Sequence, residues 1–317
     1  MKRFLGILIC IMAFSGCDDG DLVVDTIDFT EVTAKSCTTN NLIYKLKVGE
    51  ALILNLPEDT FTTNPTEVGK PTELAINTVN QVVYNFYDGK VADGNVCDLI
   101  PPATPNINKQ LKASEGTIQI TTSAVKTIDK NNNSSRISGY NHNIIFKNIK
   151  FIKSDDSSQL YENLAFGDYF KSLEPKIPFS FNEVLKICST KNDVYEFNES
   201  ESLVLAIDPT LIVNEVTLIG SPRIGTIGLD TNKLTYTLFN SVVQEGYFCE
   251  KITPLLPTVN QVWKGKVGGT IEVTTTTNAP NSFVHTIILK NVTLEKGNSN
   301  FQLGNSYKYG ELQTIKP

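Results

Sequence analysis

The strongest constraint on this chain is that most of it is written twice. Ile27-Asp28-Phe29-Thr30-Glu31-Val32 is matched by Phe179-Ser180-Phe181-Asn182-Glu183-Val184, and further pairs follow in the same order. Cys37 and Cys188 stand 151 positions apart, Cys97 and Cys249 152, and the segments starting at Gly116 and Gly269 153. His142 through Ile149 then matches His285 through Val292 at 143, so the first copy carries ten extra residues between Val125 and Tyr140. The closing segments pair Phe166-Gly167-Asp168-Tyr169 with Leu303-Gly304-Asn305-Ser306-Tyr307. Two copies are too few for a solenoid and each is domain-sized, which predicts tandem related domains at 26–172 and 179–317, joined by a linker at 173–178.

Each copy reads as β. Leu42-Ile43-Tyr44-Lys45-Leu46, Ala51 to Leu56, Val82 to Phe86 and Thr117 to Thr121 are short, β-branched or aromatic, and partly alternating, with no sustained helical period. Gly, Asn, Asp and Pro punctuate them at hairpin spacing. The expected fold is all-β: two homologous antiparallel domains, with a sandwich preferred to a closed barrel. The apolar alternation on Ile144 and Phe146 resumes on Ile149 and Phe151, one residue out of phase, and the same slip separates Ile287 and Leu289 from Val292 and Leu294. Keeping an apolar face inward across such a slip predicts a β-bulge at Lys147-Asn148 and another at Lys290-Asn291.

The N-terminus is an address. Lys2 and Arg3 precede an apolar run from Phe4 to Phe14, then Ser15-Gly16-Cys17, so residues 1–16 read as a signal peptide. The run is too short for a permanent membrane span. Phe14-Ser15-Gly16-Cys17 resembles the lipobox of bacterial lipoproteins, with Phe14 where an aliphatic residue is usual. That resemblance implies cleavage before Cys17, a lipid on Cys17, and the membrane as a partner through that lipid. Asp18, Asp19 and Asp21 lie in an acidic tether at 17–25. They resemble the signal that places Bacteroidota lipoproteins on the outward face of the outer membrane. In enterobacteria an Asp after the lipidated Cys retains the protein at the inner membrane, and a periplasm-facing placement is the alternative.

With Cys10 in the signal and Cys17 at the lipid site, four cysteines remain and allow three pairings. The duplication selects Cys37 with Cys97 and Cys188 with Cys249, since a self-contained unit bonds within itself. An exported protein meets a disulfide-permissive compartment. The Pro-bearing stretches after each second cysteine, with Pro101, Pro102 and Pro105 in one copy and Pro254 and Pro257 in the other, are expected to run outside the ladders.

Net charge is -6 with no Lys/Arg cluster, which argues against nucleic acid. Only two His are present, and neither a metal site, a cofactor motif nor a catalytic constellation is visible. His142 and His285 hold equivalent places beside inward Ile residues, a structural position. Trp263 aligns with Leu111, which marks a core site. Asp129 to Ser135, within the extra residues, reads as a flexible polar loop and lacks the turn glycine of a calcium loop. The expected function is a non-enzymatic binding or adhesion module for an unknown protein or glycan ligand. The alternatives are an accessory glycan-binding subunit of a nutrient-uptake complex, and a hydrolase with an unrecognised carboxylate site.

Overall fold

The first copy turns its β-branched and aromatic runs into β1 (Lys35–Ser36), β2 (Leu42–Lys47), β3 (Glu50–Asn55), β4 (Thr72–Ala75), β5 (Gln81–Tyr87), β6 (Ile107–Ile128), β7 (Ser135–Ile152) and β8 (Ser158–Ser172). They form one antiparallel sheet in the order β1-β2-β3-β5-β6-β7-β8, with β4 paired to β6. The second copy has β9 (Lys186–Ile187), β10 (Asp193–Asn198), β11 (Glu201–Ala206), β12 (Arg223–Thr226) and β13 (Lys233–Phe239), then β14 (Val259–Gly265), β15 (Thr270–Ala279), β16 (Ser282–Lys290), β17 (Val292–Lys296), β18 (Ser299–Gly304) and β19 (Tyr307–Ile315). The computed structural model describes residues 26–153, 157–173, 179–188 and 191–316. The signal peptide, Cys17, the acidic Asp18, Asp19 and Asp21, and residues 174–178 of the linker lie outside the described residues.

The fold is all-β and sandwich-like, and the two copies close it differently. In the second copy a seven-stranded sheet, β18-β17-β14-β13-β11-β10-β9, faces a four-stranded one, β12-β15-β16-β19. Leu203, Leu205, Tyr236 and Trp263 of the first meet Ile271, Val273, Ile287 and Leu312 of the second in one core. In the first copy the same path is a single sheet that bends over itself around Leu52, Leu54, Tyr84, Leu111, Ile118, Phe146 and Phe166. Each such side chain removed from water contributes about 1.5–3 kcal/mol. Trp263 and Leu111 are both fully buried.

The bend lies where the alternation slips. Thr117 faces Lys147 but Glu115 faces Lys150, so Asn148 and Ile149 share the place opposite Gly116, a bulge. Asn148 is left-handed at φ 48° and Gly116 has φ 129°. A Cβ on Gly116 would lie 2.8 Å from the Ile149 Cα, so only glycine fits. The second copy corrects the expectation of a second bulge. There Asn291, at φ 54°, ends one strand: β16 stays with β15 while β17 crosses over to pair with β14. The equivalent of β6 is already split between Gly265 and Thr270, so no continuous partner remains against which a bulge could form.

The register also corrects the closing pair. Ile144 faces Gly167 and Ile287 faces Gly310, so Phe166-Gly167 corresponds to Tyr309-Gly310, at the same 143 offset as the histidines. Leu303-Gly304 instead ends β18, where the chain leaves for the other sheet. Two Gly-centred segments six residues apart made the false match possible.

The extra residues are not a loose polar loop. They lengthen the β6–β7 hairpin, and the turn between Asp129 and Ser134 is closed by the Asp129 N–H on the Ser134 carbonyl at 2.8 Å. Its tip docks on the second copy. Ser299 Oγ accepts from the Ala124 N–H, Ser135 Oγ accepts from the Gln302 N–H, both at 2.8 Å, and Lys126 reaches Asn300. Ile137 and Tyr140 join the second copy's core, and the Arg136 guanidinium lies 4.6 Å from the Phe179 ring centroid. A polar tip with this many partners is ordered by them.

Both disulfides form within their copies, Cys37–Cys97 and Cys188–Cys249. Each second cysteine ends a four-residue helix, α1 (Gly94–Cys97) or α2 (Gly246–Cys249), and the Pro-bearing stretch that follows lies outside the ladders.

Candidate binding cleft

A cleft of about 210 Å³ opens in the first copy between the β2–β3 end, the turn after β3 and the C-terminal half of β8. Its rim is Ser36, Asn40, Asn41 and Glu58, and its wall includes Phe61, Tyr169 and Lys171. The rim is braced by the disulfide: Thr39 Oγ1 and Asn40 Nδ2 donate to the Cys97 carbonyl at 2.9 and 3.3 Å, and the Asn40 Oδ1 accepts the Leu42 N–H. Pro57 sets the extended backbone from which the single turn Glu58–Thr60 starts, which brings Phe61 back onto the sheet.

Behind the wall stands His142. It faces Tyr169 across the β7–β8 ladder, and its ring lies 5.1 Å from Phe61 and 6.0 Å from Tyr169, centroid to centroid. Nδ1 is hydrogen-bonded to Thr122 Oγ1 at 2.9 Å, while Nε2 has no hydrogen-bond partner among the described residues. The residue is fully buried, and burial together with the nearby Lys171 charge pushes its pKa down to about 4, so the imidazole is neutral at pH 7.

The second copy supplies an internal control. His285 also bonds Thr275 Oγ1 through Nδ1 at 2.9 Å, but its Nε2 meets Thr314 Oγ1 at 2.8 Å and Asn214 Oδ1 at 3.3 Å. An amide oxygen only accepts, so Nε2 carries the proton and Thr275 donates to Nδ1. Thr275 Oγ1 in turn accepts from Arg223, and Thr314 donates to Asn214. The chain of bonds is closed. By register, Tyr169 corresponds to Leu312 and Lys171 to Thr314, while Phe61, three residues past the start of its turn like Ile212, is matched by that residue. The aromatic and cationic groups of the first cleft are thus replaced by aliphatic and short ones.

The chain matches no protein-family model, no curated protein and no solved structure. What the site can do therefore rests on its own geometry. Among the described residues no three His, Cys, Asp or Glu gather as a metal site, and no helix is long and apolar enough to cross a membrane. Two carboxylates on neighbouring strands, Glu196 and Glu201, are 2% and 1% exposed, sealed from any substrate.

Of the residues singled out by sequence, the four disulfide cysteines are placed as pairs, with Cys37 lining the cleft. His142 and His285 are placed in the core. Phe61, Glu58, Tyr169 and Lys171 were not singled out, since 108 residues separate Phe61 from Tyr169. The 143 offset carried through β8 shows Tyr169 against Leu312 and Lys171 against Thr314, the one signal that could have found them.

Proposed function

We propose that this protein is an exported binding module, held at the outer membrane by a lipid on Cys17 and turned outward by Asp18, Asp19 and Asp21, which works by recognition without catalysis. The observation that carries the binding reading is the asymmetry of the two copies: Phe61, Tyr169 and Lys171 wall the cleft of the first, and Ile212, Leu312 and Thr314 stand at the corresponding places of the second. Pockets that orient a ligand combine such walls with a few placed polar groups. The second copy serves as a buttress. Gln261 donates to the Thr63 carbonyl, Lys296 to Asn64 Oδ1, and the Asn298 N–H to the Thr66 carbonyl, which together fix the segment that carries Phe61. Duplication has thus given one site and its support, in place of two similar faces.

The Thr122–His142 pair is not a nucleophile and its base, because both residues are buried and the same pair recurs in the closed chain of the second copy. A protein partner is the second reading, favoured by Leu99 and Ile100 in one copy and Leu255 and Leu256 in the other, all strongly exposed in the stretches that follow Cys97 and Cys249.

Two measurements test the proposal. Protease shaving of intact cells should remove the protein while a periplasmic control survives; protection until the outer membrane is breached would overturn the outward placement. Arrays of glycans and of extracellular proteins should yield a ligand that is lost when the cleft is given the second copy's residues, Phe61→Ile, Tyr169→Leu and Lys171→Thr. Equal retention by that folded variant would overturn the cleft reading.

A further inference from the structure

We propose that the cleft of the first copy takes a single sugar-acid ring, with its carboxylate held by Lys171 Nζ and the Nε2–H of His142 and its hydroxyls on the Glu58 and Asn41 side. The inference rests on the cleft being the binding site and names what it binds.

Several observations converge on it. His142 is fully buried, yet its Nε2 is unpartnered, and a buried polar atom is costly to leave unmade. The twin histidine shows where that atom points: His285 Nε2 is met by Thr314, which stands where Lys171 stands in the first copy. With the tautomer of its twin, His142 Nε2 is a donor, and the twin's geometry directs it toward the position where Lys171 brings a positive charge. Two donors, one of them charged, select an acceptor group, and a carboxylate offers two oxygens to them.

The rest of the cleft selects the body of the ligand. Phe61 and Tyr169 give an apolar ring wall, with their centroids 5.1 Å apart. Glu58 and Asn41 lie on the rim, and the acidic Glu58 repels a second carboxylate but accepts from hydroxyls. A volume of about 210 Å³ is below the usual range for a drug-sized molecule and suits one ring, not an extended chain. Tyr169 is half-buried in the cleft wall, and a shift of its ring would let the carboxylate reach Nε2.

The test is a ligand-observed NMR titration of the full chain with galacturonic acid, N-acetylneuraminic acid and neutral galactose. Both acids, or one of them, should saturate the protein, with galactose about tenfold weaker or more. Lys171→Thr should erase that difference, and Tyr169→Leu should remove binding of all three, with unchanged circular dichroism in each variant. Which acid binds more tightly separates an animal-type terminal sugar from a plant-type uronic acid as the source. Galactose binding as well as the acids, or Lys171→Thr leaving the acids unaffected, overturns the ligand class while loss in Tyr169→Leu keeps the cleft. No saturation by any of the three also overturns the inference, and the array experiment with the triple variant then decides separately whether the cleft binds something else.

Discussion

Gln261 of the second copy donates from Nε2 to the carbonyl of Thr63 in the first at 2.9 Å, two residues from the Phe61 that walls the cleft. Gln261 is 3% exposed, and its Oε1 accepts from the Trp263 indole N–H at 2.9 Å while Tyr140 bonds to the same amide. One side chain therefore joins the only tryptophan, the lengthened hairpin and the cleft segment. Gln261→Ala leaves buried donors unpaired, at a cost of about 1–3 kcal/mol. Thermal unfolding should move down by several degrees, and whatever binds the cleft should bind more weakly because Phe61 is no longer held. A melt unchanged within a degree would show that the bridge carries no strain-free contact worth counting.

The sheet crossings give a second prediction. Gly116→Ala puts a Cβ 2.8 Å from the Ile149 Cα at φ 129°, and Gly269→Ala puts one 2.9 Å from Val292 Cγ2 at φ 76°. Both should destabilise the protein by roughly 1–3 kcal/mol or more in urea titrations. Gly246→Ala, where a Cβ meets nothing within 4 Å, should stay within about 0.5 kcal/mol. Equal effects at all three positions would remove the argument from close approach.

These crossings also show what sequence alone could and could not reveal. The phase slip at Lys147-Asn148 was legible because alternation has a period of two, and any slip is visible as two adjacent polar residues. Its outcome was not legible in the second copy, since a bulge and a change of sheet start from the same left-handed Asn and differ only in whether the partner strand is continuous. The disulfides followed from the duplication. The cleft did not, because Phe61 and Tyr169 meet only through sheet register, and the mistaken match of Gly167 to Gly304 hid the replacement of Tyr169 by Leu312. The hairpin tip read as loose because polarity marks solvent and docking partner alike.

A pH dependence follows from Glu196. Its carboxyl is buried, with one oxygen accepting the Glu183 N–H at 3.2 Å and the other without a hydrogen-bond partner among the described residues. Burial, reinforced by the Glu183 charge and opposed by that hydrogen bond, pushes its pKa up to about 8 from 4.5. Between those values the folded protein holds a proton that the unfolded chain releases, so stability falls as pH rises through the window. Buried Glu201 acts in the same direction. His142, lowered to about 4, works the opposite way, and only below its unfolded value of 6.5. The urea midpoint should therefore decline from pH 6.5 to 8.5, and Glu196→Gln should flatten the decline and raise the midpoint at pH 8.5. An identical slope in the variant would assign the dependence elsewhere.

The lengthened hairpin gives the last prediction. Removing residues 127–136 shortens it to the length of its twin and deletes Asn133, Ser135 and Arg136, which hold Asn305, the Gln302 N–H and the Phe179 ring. Ala124 and Lys126 remain bonded to Ser299 and Asn300, hydrogen bonds worth only about 0.5–1.5 kcal/mol each, and Ile137 and Tyr140 keep their places in the second copy's core. The two hydrophobic clusters keep their own disulfides, whose loops of 60 and 61 residues each contribute about 4 kcal/mol by chain-entropy reasoning. Each copy should then remain folded while their coupling weakens. Calorimetry of the natural chain should give one transition or two closely overlapping ones, and the shortened chain should give two that separate. It should also lose some ligand affinity at the cleft although no cleft residue is changed, because Gln261, Lys296 and Asn298 then hold Thr63, Asn64 and Thr66 without the hairpin tip to steady the second copy against the first. Undiminished affinity with separated transitions would show that the cleft is shaped by the first copy alone.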